Sequence, residues 1–420
     1  MKALFILLVF SLQALHADVT SGGMMIRAVV TGDLKTMESL LSAGFDPNQP
    51  LRDGQTALSF AVQGSQTEAV KLLLARHADP NLLMNVQFED SETPLQYAAR
   101  TGNLRMASIL IAGGAQLNTK APKGRTSLHA AVAEGHLDML RLLIEKGADP
   151  NARDAEGASP LDDAVWNGSL DAVAILLAHG ARLNEADTQT RATSINEAAY
   201  RGDTQLVRYL LQFRPDTGIP DQRGYSPLEN AVRMGKEGAA LLLLEAEPKE
   251  RQTPQVLGKT MDDAIGKDES LMVEALLRHG VQPNGMLPSG YTPLDAAAFA
   301  GAARTVASLL NNGAYPNLSS PGGTTPLEDA ALKGFDSIAA VLLDHGAQVN
   351  YVNSGSGTTA LYAAASFGKG EVVKLLLKRG AKPGLCGGNR KSPYQAALEN
   401  GFGEVAAEIK SHGGASGCGQ

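Results

Sequence analysis

Four histidines, His179, His279, His345 and His412, each stand one residue before a glycine, and a regular series of imidazoles raises the question of a metal ladder. Spacing argues against it. A zinc ligand lies about 2 Å from its ion, whereas neighbouring helices pack about 8–10 Å apart, and these histidines fall in non-adjacent copies of the repeat described below. A histidine at the end of a helix interacts favourably with the helix dipole instead. Carboxylates are paired at Asp162/Asp163 and Asp262/Asp263, but adjacent helix residues do not face each other, which spoils them as an acid/base couple. The glycine-rich runs Pro321-Gly322-Gly323 and Gly355-Ser356-Gly357 lack the Lys-Ser/Thr ending of a phosphate loop. No Ser-His-Asp, Cys-His or Cys-x-x-Cys set presents itself, although a triad assembled from distant segments stays open. The residues therefore point to no catalytic group, no cofactor and no metal.

The elements that carry these residues repeat. Lys123 to Asn151 reads as two short helices and a turn. Thr126 is placed to cap the first helix through its hydroxyl, His129, Ala130 and Ala131 start it, and Gly135 ends it. Leu137, Leu140, Leu142, Leu143 and Ile144 give a second helix, closed by Gly147 in a left-handed conformation. The unit recurs about every 33 residues. Its cap is held by Thr56, Thr93, Thr126, Ser159, Thr193 and Ser226, is broken at Lys259, and resumes at Thr292, Thr325, Thr359 and Ser392. Proline follows at Pro94, Pro160, Pro227, Pro293, Pro326 and Pro393, where its missing N–H costs nothing. Ser226/Glu229, Thr325/Glu328, Thr93/Gln96 and Ser392/Gln395 fit reciprocal capping boxes.

This pattern, in about twelve copies from Gly23 to Ala415, resembles the ankyrin repeat. The resemblance implies an all-α ankyrin-repeat solenoid of stacked helix-turn-helix units with short β-hairpin loops. Terminal copies then serve as caps with one solvated face. The expected organisation is a signal peptide at 1–17, a divergent N-terminal capping repeat at 18–50, the array at 51–385, and a C-terminal capping repeat with a flexible tail at 386–420. Two irregularities stand out. Extra residues in Leu82 to Glu92 should lengthen one hairpin tip, with Phe88 or Met84 near its end. In Glu245 to Thr260 one copy lacks its closing glycine and the next lacks Thr-Pro-Leu, which predicts a weak joint near 245–260.

In ankyrin arrays the two positions before the glycine that ends the first helix line the concave face with the hairpin tips. Carried over, they are Arg100, Trp166, Asn167, Tyr200, Arg201, Arg233, Met234, Phe299, Leu332, Lys333 and Phe367. Tryptophan, tyrosine and arginine dominate interface energetics, so the expected partner-binding residues are Arg100, Trp166, Tyr200, Arg201, Arg233, Met234, Phe299, Leu332 and Phe367. The resemblance implies a non-catalytic scaffold that binds a protein partner, with inhibition, protection or support of a periplasmic enzyme as the expected roles. The competing readings are a structural spacer of the cell envelope and, from another class, an enzyme built on the array.

Composition agrees with a repeat interior. Apolar residues make up 44% of the chain with only 5% aromatics, and the formal net charge is −7. Nucleic acid, whose binding rests on neutralising phosphates, is not an expected partner. Residues 1–17, MKALFILLVFSLQALHA, read as a secretory signal, with Lys2 before an apolar run and Ala17 at the cleavage point. The run is shorter than the roughly 20 residues of a spanning helix, so export to the periplasm, or secretion, is expected without a stable membrane span; a short membrane anchor or a buried first helix is the alternative. The two cysteines, Cys386 and Cys418, bracket the last copy. In an exported protein they could form a disulfide; two unpaired thiols are the alternative.

Overall fold

A computed structural model describes residues 20–51, 54–84, 91–415 and 417. The expected signal segment 1–17, Phe88 and Cys418 lie outside these residues. Among the described residues twenty-four α-helices form twelve pairs. They are Ser21–Thr31 and Leu34–Ser42 (α1, α2), Ala57–Gln63 and Thr67–Ala75 (α3, α4), Pro94–Arg100 and Leu104–Ala112 (α5, α6), and Ser127–Ala133 and Leu137–Glu145 (α7, α8). Next come Pro160–Trp166 and Leu170–Ala178 (α9, α10), Ser194–Arg201 and Thr204–Leu211 (α11, α12), Pro227–Arg233 and Glu237–Ala246 (α13, α14), and Pro254–Gly266 and Ser270–Arg278 (α15, α16). The last four pairs are Pro293–Ala300 and Ala303–Asn311 (α17, α18), Pro326–Lys333 and Asp336–Asp344 (α19, α20), Ala360–Ser366 and Gly370–Lys378 (α21, α22), and Pro393–Glu399 and Gly403–Ser411 (α23, α24).

The fold is an all-α repeat solenoid. Among the described residues the tips are hydrogen-bonded turns rather than strands, such as Ala121 N–H to Arg125 O at 3.0 Å, and one antiparallel bridge joins Met84 to Glu92. Met84 is fully buried. It packs in the interior and does not mark the end of the longer tip.

Two compact units divide the chain: residues up to Ala198 with Tyr209–Gly224, and Ala199–Arg208 with the residues from Tyr225 onward. In the first unit Leu58, Leu95, Leu128 and Leu161, each two residues after its cap, form one buried row under Ala61, Ala98, Ala131 and Ala164. The alanines let first helices approach closely, and Val70, Leu110, Leu143 and Leu176 of the second helices close the interior. In the second unit Leu228, Leu294, Leu327 and Leu361 repeat the row, backed by Leu243, Leu276, Leu309, Leu342 and Leu376. Truncating one such leucine to alanine costs roughly 2–5 kcal/mol.

Caps set the register. Reciprocal capping boxes form at Thr56/Ser59, Thr93/Gln96, Ser159/Asp162, Ser226/Glu229 and Ser392/Gln395. At Thr126 the partner is His129, whose Nδ1 accepts the Thr126 N–H at 3.1 Å while Nε2 lies 3.2 Å from the Ala158 carbonyl. Thr325/Glu328 makes only half the expected box. The Glu328 N–H donates to Thr325 Oγ1 at 3.3 Å, but the carboxylate is drawn to the next copy by Asn353 Nδ2 at 2.9 Å and the Thr358 hydroxyl. The eighth copy does carry a Thr-Pro start, displaced upstream. Thr253 caps α15 and Pro254 is its first residue, so Lys259 lies inside a longer helix. Closing positions without glycine still take the left-handed conformation at His77 (φ 67°) and Arg214 (φ 51°).

A ladder of asparagines four residues after each closing position joins copies through the backbone. Asn151 Nδ2 donates to Gly180 O at 3.0 Å and its Oδ1 accepts from Arg182 N–H at 2.8 Å. Asn48, Asn81, Asn284, Asn317 and Asn350 repeat the pair of bonds. Gly218 stands where the sixth copy would carry this asparagine, and α14 ends in extended backbone at Glu247. There Gln252 Nε2 donates to the Glu247 carbonyl at 2.9 Å, and His279 Nδ1 lies 3.0 Å from Gln252 Oε1.

Candidate partner-binding site

The last turns of the first helices carry the large side chains expected on the concave face. In the first unit Trp166, at the end of α9, is 57% exposed. Arg100, at the end of α5, is held within the chain: its Nε and Nη2 donate to Glu92 at 3.1 and 2.7 Å, and its guanidinium lies 5.1 Å from the Tyr97 ring centre. In the second unit Tyr200, Met234, Phe299 and Phe367 are all exposed, as is Arg201, while Leu332 is half-buried. Exposed large apolar side chains that recur at equivalent positions of the repeat are of the kind that marks an interaction surface.

Arg233 is not a free fork. Its Nη1 lies 3.2 Å from Asp263 Oδ1, and its guanidinium carbon sits 4.3 Å from the centre of the Tyr225 ring. Lys259 approaches the same ring at 5.1 Å and pairs with Glu229 at 2.5 Å. Tyr225 and its counterpart Tyr291, the residues immediately before the caps Ser226 and Thr292, were not picked out from the sequence. Tyr291 stacks on Phe299 with ring centres 6.4 Å apart and planes 15° from parallel, and Lys333 Nζ lies 4.0 Å from the Phe299 ring centre. Superposing the copies by register would have found both tyrosines, since each occupies the tip beside a face residue.

The paired carboxylates separate as helix geometry requires. Asp162 completes the Ser159 box and accepts from Ser194 Oγ at 2.8 Å, whereas Asp163 takes Arg125 Nη2 at 2.6 Å. Asp262 accepts from Ser289 Oγ at 2.6 Å, whereas Asp263 meets Arg233. Burial pushes Asp163 up to about 6 against the pull of Arg125, and burial lowers His129 to about 4, so it is neutral in its cap. Three of the four repeated histidines bond to their own helices: His179, His345 and His412 place Nδ1 2.8, 2.9 and 3.1 Å from the carbonyl four residues back, whereas His279 meets Gln252. Among the described residues no cluster of three His, Cys, Asp or Glu side chains is arranged to hold a metal ion, and no helix is long and apolar enough to cross a membrane. Cys386 is disulfide-bonded.

A family model described as ankyrin repeats (3 copies) matches residues 24–121, 113–187, 263–353 and 312–386. The chain belongs to the ankyrin-repeat family. It is similar over 82 residues, at 40% identity, to the glycerophosphocholine phosphodiesterase gde1 of Schizosaccharomyces pombe, which covers 20% of this chain and 7% of that protein. It is 38% identical over 98 residues to the ankyrin repeat and KH domain-containing protein CBG24701 of Caenorhabditis briggsae, covering 23% of this chain and 4% of that protein. Among solved structures the ankyrin repeat domain of Bcl-3 aligns with 49% of this chain and 92% of its own, at 29% identity and a TM-score of 0.46. The chain thus spans only a small part of the curated relatives it matches. What it shares with them is the repeat, a fold that serves generally as a non-catalytic binding module.

Proposed function

We propose that this ankyrin-repeat protein is a non-catalytic scaffold that binds a partner protein on the face formed by the ends of its first helices and the neighbouring tips. The observation that carries the reading is the exposure of Trp166, Tyr200, Met234, Phe299 and Phe367 at the same two register positions. Aromatic anchors of this kind supply most of the energy of a protein interface. The apolar run behind Lys2 extends the proposal to export, with a periplasmic enzyme as the partner that the scaffold inhibits, protects or supports.

Capture from periplasmic extract, comparing the natural protein with Trp166→Ala and Phe367→Ala, tests the binding face. A partner retained by the natural protein and lost from both variants supports it; equal capture by all three shows that the partner binds another face, and no captured partner speaks for a spacer instead. N-terminal sequencing of the expressed protein tests export. A mature start near Asp18 is expected, and a cytosolic product beginning at Met1 overturns it.

A further inference from the structure

Three copies place an aspartate four residues beyond the first-helix cap register: Asp163, Asp263 and Asp329. For the first two, the preceding copy supplies an arginine. Arg125, at the tip just before its cap Thr126, reaches Asp163 at 2.6 Å. Arg233, seven residues after its cap Ser226, reaches Asp263 at 3.2 Å while lying on the Tyr225 ring. The same two positions in the copy preceding Asp329 hold Tyr291 and Phe299. The set Tyr291, Phe299, Asp329 lies 66 residues beyond Tyr225, Arg233, Asp263 at every member (225 to 291, 233 to 299, 263 to 329). Tip tyrosine and acid are kept; the arginine between them has become phenylalanine.

The consequence is visible in the second unit. Asp329 is only 5% exposed, and its Oδ2 is buried with no hydrogen-bond partner. Asp295, on the neighbouring α17, is fully buried, and its Oδ1 has none either, although its other oxygen takes the Ser320 hydroxyl. Glu328 is satisfied by Asn353 and Thr358. Burial first, then Asp295 and Glu328, hold the Asp329 carboxyl up to about 7, with Lys333 pulling the other way. The Lys333 ammonium itself lies over Phe299. Lys333 follows Asp329 by one helical turn, so it links the helix of this acid to the exposed, stacked aromatic pair of Tyr291 and Phe299.

We infer that Tyr291, Phe299 and Asp329 form a receptor for a guanidinium group, filled by an arginine of the partner protein in the role that Arg233 plays internally for Asp263. The inference rests on the scaffold reading. A guanidinium suits both halves of the site, since it stacks on aromatic faces and donates in a planar fork to a carboxylate. A lysine ammonium offers neither fork nor plane, and Lys333 already shows where one settles. Leaving a carboxylate buried and unpaired is costly, so a ligand that pairs it recovers that cost on binding.

The test uses N-acetyl-arginine amide as probe and N-acetyl-citrulline amide as its uncharged isostere, with the Tyr291 ring resonance followed by NMR in selectively labelled full-length protein. The arginine compound should shift that resonance at a concentration at least tenfold lower than the citrulline compound. Asp329→Asn, which removes a buried charge and so keeps the fold, should abolish the difference. Phe299→Arg, which restores the guanidinium within the chain, should abolish it too and raise the melting temperature. Equal binding of the two compounds, or undiminished arginine selectivity in Asp329→Asn, overturns the site even if Phe299→Arg fails to fold. A partner captured through Trp166 while the compounds bind alike would sink this receptor and leave the scaffold standing. Arginine selectivity without a captured partner would support the receptor and count against the scaffold.

Discussion

Replacing Glu269 by glutamine should make the protein less sensitive to rising pH. Glu269 precedes α16 at its cap position but makes no capping bond; it is 5% exposed, and neither carboxylate oxygen has a hydrogen-bond partner. The N–H groups it would cap are taken by Glu237 of the preceding copy, whose Oε1 accepts from Leu271 and Met272 at 2.9 and 3.2 Å. Burial, reinforced by the Glu237 charge and opposed by Lys267, raises Glu269 from its ordinary 4.5 to about 7. A carboxyl whose folded pKa is raised binds its proton more tightly folded than unfolded. Its penalty is therefore absent below about 4.5, grows between 4.5 and 7, and is complete above. At 1.36 kcal/mol per unit the ceiling is about 3 kcal/mol, and solvent screening near the helix end reduces it to about 1–2 kcal/mol.

Glutamine carries the same shape without the charge, so its own unmet hydrogen bonds cost the same at every pH. The informative quantity is the difference between variant and natural protein at pH 8 minus that at pH 5. Thermal melts at constant ionic strength, with hydrogen exchange of the α16 amides beside them, should show the natural protein losing stability relative to Glu269→Gln as pH rises from 5 to 8. Parallel pH dependence of the two proteins would refute the reasoning.

Asn151→Ala removes two bonds between successive copies and should cost roughly 1–3 kcal/mol; an unchanged urea midpoint would show that water replaces them freely. The stretch Glu245 to Thr260 lies where the asparagine ladder is missing, so its amides should exchange fastest among internal segments; uniform protection from the fifth to the ninth copy would show that Gln252 and the Thr253 cap fully compensate. Cys386 is expected to pair with Cys418, closing a loop of about 30 residues worth at most roughly 3–4 kcal/mol in the chain-entropy model; non-reducing mass spectrometry finding two free thiols would exclude the bridge.

Much of the fold was legible because its determinants are local. Cap, proline, glycine and apolar spacing act within one helix pair, so Thr93, Pro94 and Gly114 announce their roles without reference to the rest of the chain. Where a local signal was displaced, the reading slipped: Thr253-Pro254 starts α15 upstream of the 33-residue register, and Glu328 left its own cap for Asn353 and Thr358 in the next copy. The exposure of Trp166, Tyr200, Phe299 and Phe367 likewise follows from register, since the end of a first helix lies beyond the shared interior.

Contacts between copies were decided by tertiary structure. Periodicity does not say whether Asp163 is met from the tip by Arg125 or, as at Asp263, from a helix end by Arg233, because both routes depend on how far each side chain reaches across the stack. It also cannot show that Asp329 is met by neither, since a missing partner becomes visible only when every neighbour of a buried atom has been placed. Sequence by itself determined the repeat, its caps and which residues face outward, all properties of single helices and turns. Only the packed array decided which of those residues are already paired and which buried acids keep an oxygen without a hydrogen-bond partner, because burial and pairing belong to neighbours about 30 residues apart in the chain and a few ångströms apart in space.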